Sequence, residues 1–297
     1  MIIDAHLHLW EKQNGRVNGK PVYDLGGGRS DFGGEVRQMM PPYLLDGKNS
    51  AEALFANMEY ACVSGGVVTQ EYIDGNQDPY LLTVKQKYGD RIKICALYEE
   101  DGVFRPEYFL ANPFDGLKIC AGRLQDPDLT LLLPVFQMVE KAGRFISIDL
   151  ADGALQVPAM ETLIAACPDL RIAIGHFGMV TREGWLQQIG LARHPHVYIE
   201  SGGITWLFNS EFYPFPSAVD AILEAKSVCG MEKLMWGSDY PRTMTAITYR
   251  MSYDFVQKSD KLSAADKARF LGENAKEFYG FSDLPVPERI RNMVEDE

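Results

Sequence analysis

The sequence has 297 residues, of which 46% are hydrophobic, and this is enough apolar material for one large domain or two ordinary ones. The formal net charge is −12, from 29 basic and 41 acidic residues, and no basic run stands out. These features exclude a disordered chain and argue against nucleic acid or an anionic membrane as a partner. We therefore expect a soluble, globular protein.

The cysteines give no sign of a disulfide framework or of a thiolate zinc site. The chain has 5 of them, an odd number, and none has Cys-x-x-Cys spacing. The N-terminus lacks a basic segment followed by an apolar one, and no apolar run is long enough to cross a bilayer. We expect buried, reduced thiols in a cytoplasmic protein.

Short β-branched segments alternate with helical patterns along the chain. The predicted strands lie at 2–4, 66–70, 92–97, 116–119, 145–149, 171–175, 197–200 and 233–237. The predicted helices lie near 50–63, 79–88, 128–142, 158–166, 182–193, 215–228, 246–258 and 264–278. Strands that alternate with helices pair in parallel. The pattern predicts an α/β protein, a single (β/α)8 TIM barrel over 1–297, with an open doubly wound sheet as the alternative.

One segment interrupts this alternation. Residues 10–49 separate the first strand from its helix, and structureless loops longer than about 15 residues are uncommon outside lids and disordered regions. The glycines at 26–28 do not form a nucleotide-binding fingerprint, because no strand leads directly into them. We interpret 10–49 as a flap over the barrel mouth, with a decorative surface insertion as the alternative. The segment 281–297 is predicted to be a loosely packed C-terminal tail.

Reactive side chains follow the predicted strands. Barrel enzymes place their reactive groups at the carboxyl ends of the strands, so these positions are the first candidates for a site. His6 and His8 are two residues apart, and alternate side chains of a strand point to the same face, so both imidazoles can converge on one metal ion or carbonyl. The other candidates at strand ends are Lys118, Asp149, His176, Glu200, Asp239 and Arg242.

Each candidate also has an ordinary structural interpretation when it is taken alone. His176 is compatible with a hydrogen-bonded core histidine, Asp239 with a turn cap and Lys118 with an ion pair. His194 and His196 precede strand seven at the opposite rim, and we interpret them as structural. The combination is more specific than its members, because it has His-x-His first, a histidine two-thirds along and Gly-Ser-Asp last.

Three motifs give the chain a resemblance to the amidohydrolase superfamily. They are DAHLHLW at 4–10, IGHFG at 174–178 and MWGSDYP at 235–241. Over nearly its whole length, the chain is similar to the amidohydrolase-2 branch, which contains aminocarboxymuconate-semialdehyde decarboxylase-like enzymes and the sugar-acid and pyrone-dicarboxylate lactonases. The resemblance implies a distorted barrel with its site at the top. It also implies His6, His8 and Asp239 as metal ligands or their equivalents, and His176 as a polarising or proton-transferring residue.

One position departs from the decarboxylase-like pattern. Those relatives carry a metal-binding histidine at the end of strand five, where this chain has Asp149, and the lactonase-like members carry aspartate there. The resemblance therefore favours a lactonase. It implies one divalent ion, zinc first, with metal-free catalysis as the alternative, because some lactonases of this kind work without a metal. A two-metal site is not expected, since the chain has no second strand-five histidine beside a bridging lysine.

The first functional hypothesis is a hydrolase of a small carboxylated ester or lactone. A zinc ion held by His6, His8 and Asp239 would leave an open position for water and lower the pKa of that water to about 7. Asp239 would accept the water proton while His176 polarises the carbonyl. In the metal-free alternative, the three histidines polarise the carbonyl and Asp239 is the general base.

The substrate contacts are predicted to come from the same end of the barrel. Arg242 and Lys118 are the candidates for holding a substrate carboxylate, and Asp149 and Trp10 are further candidate contacts. Trp206 is interpreted as part of an apolar wall. Two other hypotheses remain open: a non-oxidative decarboxylase of an unsaturated or aromatic acid, and a non-catalytic binding protein on a barrel scaffold. Soluble barrels often pair, so a homodimer is a further expectation.

Overall fold

Parallel strands form the wall of a barrel in the computed structural model, which describes residues 1–100 and 102–291. The strands of the described residues are β1 (Ile3–Leu7), β2 (Arg16–Val17), β3 (Lys20–Gly26), β4 (Arg29–Phe32), β5 (Val36–Gln38), β6 (Gly65–Val68), β7 (Ile92–Leu97), β8 (Gly116–Ile119), β9 (Phe145–Ile148), β10 (Arg171–Ile174), β11 (Val197–Glu200) and β12 (Leu234–Met235). The barrel follows the order β1, β6, β7, β8, β9, β10, β11, β12. Its strands are apolar on both faces because helices cover the outside and side chains fill the inside.

The first and last strands close the barrel. Ala5 N donates a hydrogen bond to Trp236 O at 2.9 Å. The buried Asp4 adds side-chain contacts across the same seam, where it accepts from Ser238 N and from Tyr249 Oη, both at 2.8 Å. The predicted TIM barrel is therefore confirmed, and the open doubly wound alternative is wrong.

Helices connect the strands and cover the barrel. The helices of the described residues are α1 (Ala51–Tyr60), α2 (Asp78–Tyr88), α3 (Pro106–Ala111), α4 (Leu133–Lys141), α5 (Val157–Ala166), α6 (Trp185–Gly190), α7 (Ile204–Leu207), α8 (Pro216–Cys229), α9 (Met251–Lys258), α10 (Ala264–Ala268) and α11 (Asn274–Tyr279). Several begin with a proline in the first turn. Proline is tolerated there because N–H groups of the first turn have no acceptor within the helix. The side chain of Ser50 caps α1, and a Ser263–Asp266 capping box begins α10.

Some predicted strand ends were wrong. Strand β1 extends to Leu7 rather than ending at Asp4, so His6 lies inside the strand. Of the predicted strand 233–237, only Leu234–Met235 is paired. This last strand was predicted too long because the chain after Met235 leaves the strand and turns toward the cavity at the end of the barrel.

The predicted helices were also wrong in places. α3 and α7 were missed, since helices of six residues or fewer are too short to show an apolar period. The predicted helices at 128–142 and 182–193 each include a 3₁₀ turn, at Leu129–Leu132 and at Leu191–Arg193. α9 begins only at Met251, and a π-helical turn separates α10 from α11.

The predicted flap contains a small antiparallel sheet, β2 to β5, rather than a structureless loop. Its two ends lie side by side, because Trp10 and Asn49 exchange backbone hydrogen bonds of 3.1 Å. A buried chain of polar side chains joins the sheet to the barrel. Ser30 Oγ donates to Gln13 Oε1 at 2.5 Å, and Gln13 Nε2 donates to Asp74 Oδ1 at 3.0 Å.

Two apolar layers lie on either side of the barrel wall. The larger one fills the space between strands and helices. The smaller one lies inside the barrel, where Ile3 and Phe145 meet Phe278 and Phe281 near the amino ends of the strands. Phe281, the first residue of the predicted tail, is thus buried. Most of the following residues up to 291 are exposed, and 292–297 lie outside the described residues.

The cysteines and the helices bear on two further predictions from the composition. The five cysteines are free thiols, and Cys95, Cys120 and Cys167 are buried as predicted. Cys62 and Cys229 are partly exposed, so the prediction of buried thiols is wrong for these two. Among the described residues, no helix combines the length and the apolar character that crossing a bilayer requires.

Candidate active site

The carboxyl ends of the barrel strands surround a cavity of about 560 Å³. Its wall includes these predicted site residues: His8, Asp149, His176, Asp239 and Arg242. The predicted flap contributes Phe32, Arg37 and Met39 to the same wall. The cavity therefore lies where barrel enzymes carry out their chemistry.

A β-bulge in β1 directs the N-terminal histidines into the barrel. The register of β1 against β6 shifts between Asp4 and Leu7, which adds one residue to β1. Asp4 contacts Tyr249 of the outer layer, whereas His6 contacts Glu200 inside the barrel. Regular alternation would place both side chains on one face, so the bulge is what turns His6 inward.

Three ligand-type atoms from His6, His8 and Asp239 converge in the site. His6 Nε2 lies 3.1 Å from His8 Nε2, and Asp239 Oδ1 lies 2.9 Å from His8 Nε2 and 3.9 Å from His6 Nε2. A zinc ion with bonds of about 2.1 Å in a tetrahedral site separates its ligand atoms by roughly 3.4 Å. The triangle therefore has the dimensions of a metal site.

The far ring nitrogens show which atoms are free to bind a cation. His6 Nδ1 lies 2.6 Å from Glu200 Oε1, and His8 Nδ1 lies 3.2 Å from Thr69 O. Because a carboxylate and a carbonyl only accept, a proton on each Nδ1 satisfies these two contacts and leaves the Nε2 lone pairs to a cation. Without a cation, a proton on His8 Nε2 donates to Asp239 Oδ1 at 2.9 Å. Burial and the charge of Arg242 lower the pKa of His8, so a proton competes weakly for this nitrogen. The donor set fits one divalent ion.

Asp239 is held as a carboxylate. Burial by itself would raise the pKa of Asp239, but the hydrogen bond with His8 and the charges of Arg242 and His176 hold it well below the usual range. Its second oxygen, Oδ2, accepts from Trp206 Nε1 at 2.8 Å. The backbone of Asp239 has a φ of 58°, a strained value for a residue other than glycine and one that is concentrated at functional sites.

Asp149 is balanced by two cations. Its Oδ2 lies 2.6 Å from Lys118 Nζ and 3.4 Å from His176 Nε2. Burial opposes ionisation, but the charges of these two neighbours hold the pKa of Asp149 well below its usual range. Asp149 belongs to two further groups of ligand-type side chains, one with His6 and His176 and one with Glu71 and Cys120. A carboxylate already paired in this way is a weaker metal ligand than Asp239.

His176 is a protonated imidazole at neutral pH. Burial lowers its pKa, but the nearby carboxylate of Asp149 outweighs burial and raises the pKa to about 10. His176 Nδ1 donates to Gly202 O at 2.9 Å, and its ring centroid lies 4.7 Å from that of His6. The ring thus places a positive charge beside the His6–His8–Asp239 triangle.

The predicted substrate contacts differ in their position. Arg242 borders the cavity, and its Nη2 is held by both oxygens of Asp74, at 2.9 and 2.7 Å. Trp10 is fully buried, and its Nε1 donates to Gly47 O at 2.9 Å. Lys118 is also fully buried. The side chains of Trp10 and Lys118 therefore lie behind the cavity wall rather than on its surface.

Several groups around the site were given no role by the sequence. Glu200 and Thr69 orient the two N-terminal histidines, and Asp74 holds Arg242. Glu71 and Arg123 form an ion pair of 2.8 Å in the cavity wall. The only signal for Glu200 and Thr69 was their place at the end of a strand, and the partner that each would contact was not visible.

Comparison with models of protein families identifies the family of this chain. A model of the amidohydrolase family matches residues 3–281. The chain belongs to the amidohydrolase family. A search of curated proteins finds no match to this chain.

Solved structures of other amidohydrolases are similar in fold. A probable 2-pyrone-4,6-dicarboxylic acid hydrolase from Acinetobacter baumannii, with citric acid bound, is 19% identical, with a TM-score of 0.69 over 94% of this chain and 99% of its own. An amidohydrolase from Burkholderia multivorans with bound zinc is 18% identical, with a TM-score of 0.66 over 95% of this chain and 100% of its own. At such identities the likeness shows a shared barrel.

Proposed function

We propose that this amidohydrolase hydrolyses a small carboxylated ester or lactone. An ionised Asp239 and a protonated His176 face the same cavity, and this pairing carries the proposal. Ester hydrolysis needs one group that takes a proton from water and another that stabilises negative charge on the carbonyl oxygen. The two residues have the charges that these tasks require.

In the proposed reaction, Asp239 accepts a proton from water as the water oxygen adds to the carbonyl carbon. The positive charge of His176 stabilises the negative charge that grows on the carbonyl oxygen. As the tetrahedral adduct collapses, the bond to the leaving oxygen breaks and Asp239 returns the proton to that oxygen. One water is consumed, and a hydroxyl group and a carboxylic acid are formed.

A divalent ion, zinc first, would be held by His6, His8 and Asp239. When bound, such an ion lowers the pKa of water to about 7 and polarises a carbonyl. Glu200 and Thr69 keep the two rings in the orientation that presents Nε2. The zinc in the similar Burkholderia multivorans structure supports this assignment.

The cationic side chains of the cavity support a carboxylated substrate. Arg37, Arg123 and Arg242 all border it, and a guanidinium group matches the geometry of a carboxylate. The Acinetobacter baumannii protein is named for 2-pyrone-4,6-dicarboxylic acid, a ring ester with two carboxylates, and its bound citric acid is a polycarboxylate. Lys118, which lies behind the wall, is proposed to hold Asp149 in place and to act on the substrate only through it.

A screen of carboxylated lactones with a pH indicator tests the proposal. Protein with and without added Zn²⁺ is expected to release acid from at least one lactone, and Asp239→Asn is expected to reduce that rate by about 10²–10⁴-fold. Asp220→Asn, on the exposed face of α8, is the matched control and should keep the rate of the unmodified protein. Release of carbon dioxide from an aromatic acid, without acid from any lactone, would contradict the hydrolase proposal and support a decarboxylase.

A further inference from the structure

The indole of Trp206 touches the candidate metal ligand Asp239. Trp206 lies on α7, which begins four residues after the end of β11. Its Nε1 donates to Asp239 Oδ2 at 2.8 Å. The side chain of Asp239 is only 4% exposed, whereas Trp206 is 36% exposed and borders the cavity. One edge of the indole therefore covers the carboxylate and another part faces the substrate space.

The backbone before α7 is shaped to admit this indole. Gly203 has a φ of 70°, and a Cβ atom at this position would lie 1.6 Å from Trp206 Nε1. A side chain at residue 203 would therefore displace the very atom that bonds to Asp239. The absence of a side chain at Gly203 is an observation independent of the hydrogen bond, and it leads to the same contact.

The two oxygens of Asp239 have different partners. Oδ1 lies in the triangle with the Nε2 atoms of His6 and His8, and Oδ2 is engaged by the indole. A carboxylate without a partner on Oδ2 is free to rotate and to exchange its oxygens. Hydrogen bonds to the outer atom of a ligand restrict such rotation, and their loss weakens metal affinity by about 10–100-fold.

We propose that Trp206 is a positioning residue for metal binding, which holds Asp239 by Oδ2 so that Oδ1 alone is presented to a divalent cation beside His6 and His8. The inference deepens the proposed function, because it concerns the same site. It does not depend on which ester is hydrolysed. It assigns the tryptophan a role beyond that of an apolar wall.

Calorimetric titration of metal-stripped protein with Zn²⁺ tests this role. Trp206→Phe keeps an aromatic ring but removes the N–H donor, and we expect it to weaken Zn²⁺ binding about tenfold or more. Trp185→Phe is the matched control, because Trp185 packs against the outer apolar layer and does not border the cavity, so the affinity should be unchanged. Thermal melting of both variants shows whether a loss of stability explains the difference.

A second pair of variants tests the contact without changing the tryptophan. Gly203→Ala is expected to displace the indole and to reproduce the weaker Zn²⁺ binding of Trp206→Phe. Gly190→Ala is its control, since a Cβ atom at Gly190 has no neighbour within 4 Å. The visible absorption of bound Co²⁺ adds a readout of ligand geometry, and it should change in Trp206→Phe and Gly203→Ala but not in their controls.

The outcomes separate this inference from the proposed function. Zn²⁺ affinity and Co²⁺ absorption that are unchanged in Trp206→Phe overturn the inference, and so does a failure of the unmodified protein to bind Zn²⁺. Acid release from a lactone in either case leaves the hydrolase proposal standing. Weaker Zn²⁺ binding by Trp206→Phe, together with inactivity on every lactone, upholds the role of Trp206 and removes the proposed function.

Discussion

At His176, one neighbouring carboxylate decides the charge of the ring. Burial alone would favour the neutral imidazole, yet the contact with Asp149 raises its pKa to about 10. Lys118, on the other side of Asp149, keeps that carboxylate ionised. The positive charge that His176 supplies in the proposed reaction therefore depends on Asp149, which follows the preceding strand.

We expect Asp149→Asn to lower the pKa of His176 toward 6.5, because the charge that holds the proton is removed. The alkaline limb of the hydrolysis rate should then move from about pH 10 toward neutral pH. A pH–rate profile measures this shift. Asp152→Asn, which removes a half-exposed carboxylate paired with Arg182, should leave the limb near its original pH. An unmoved limb in Asp149→Asn would show that His176 is not the group that titrates.

The same proton links His176 to folding. The pKa of His176 is about 10 in the folded protein and 6.5 in the unfolded chain. The protonated ring therefore stabilises the fold fully below pH 6.5, and this stabilisation is lost as the pH rises through about 10. Alkaline unfolding of Asp149→Asn should accordingly lack this contribution.

At the scale of elements, the small sheet β2 to β5 is joined to the barrel by polar contacts. The Ser30–Gln13–Asp74 chain is buried throughout, and Asp74 also holds Arg242 at the cavity. The position of the sheet and the position of a candidate substrate contact therefore depend on the same carboxylate.

Gln13→Leu is expected to lower the free energy of unfolding by about 1–3 kcal/mol, since Ser30 and one oxygen of Asp74 lose a buried partner. Chemical denaturation measures the loss, and limited proteolysis should cut the β2 to β5 segment sooner. Gln187→Leu, at an exposed position of α6, is the matched control. Equal stability and equal proteolysis in both variants would show that the chain of side chains does not hold the sheet.

At the scale of the whole molecule, the C-terminal helix closes one end of the barrel while the site occupies the other. Phe278 of α11 packs against Phe145 and Tyr198, with ring centroids 6.1 and 4.8 Å apart. The barrel interior thus divides into an apolar end and a charged end. The charged groups that the strand ends bring together shift one another's pKa values against the direction that burial alone would give.

Phe278→Ala should destabilise the protein by about 3–5 kcal/mol, because it leaves a cavity in the inner apolar layer. Urea unfolding monitored by circular dichroism measures the change. Phe212→Ala removes the same side chain where it is 50% exposed, and it should have a much smaller effect. Similar losses in the two variants would mean that α11 does not support the barrel.

The order of elements was readable from the sequence, because alternating apolar strands and helical periods are local properties of the chain. The strand-end rule then places His6, His8, His176 and Asp239 at one end of the barrel from the sequence alone. The small sheet β2 to β5 was not recognised, because its strands are short and partly exposed and carry little apolar pattern.

Only the tertiary structure decided which groups are partners. The bulge in β1 turns His6 inward, and His8 and Asp239 meet across 231 positions of the chain. Trp206 reaches Asp239 for the same reason, since both follow neighbouring strands of a closed barrel. Charge states and ligand geometry depend on distances between residues remote in sequence, and packing of the whole barrel sets those distances.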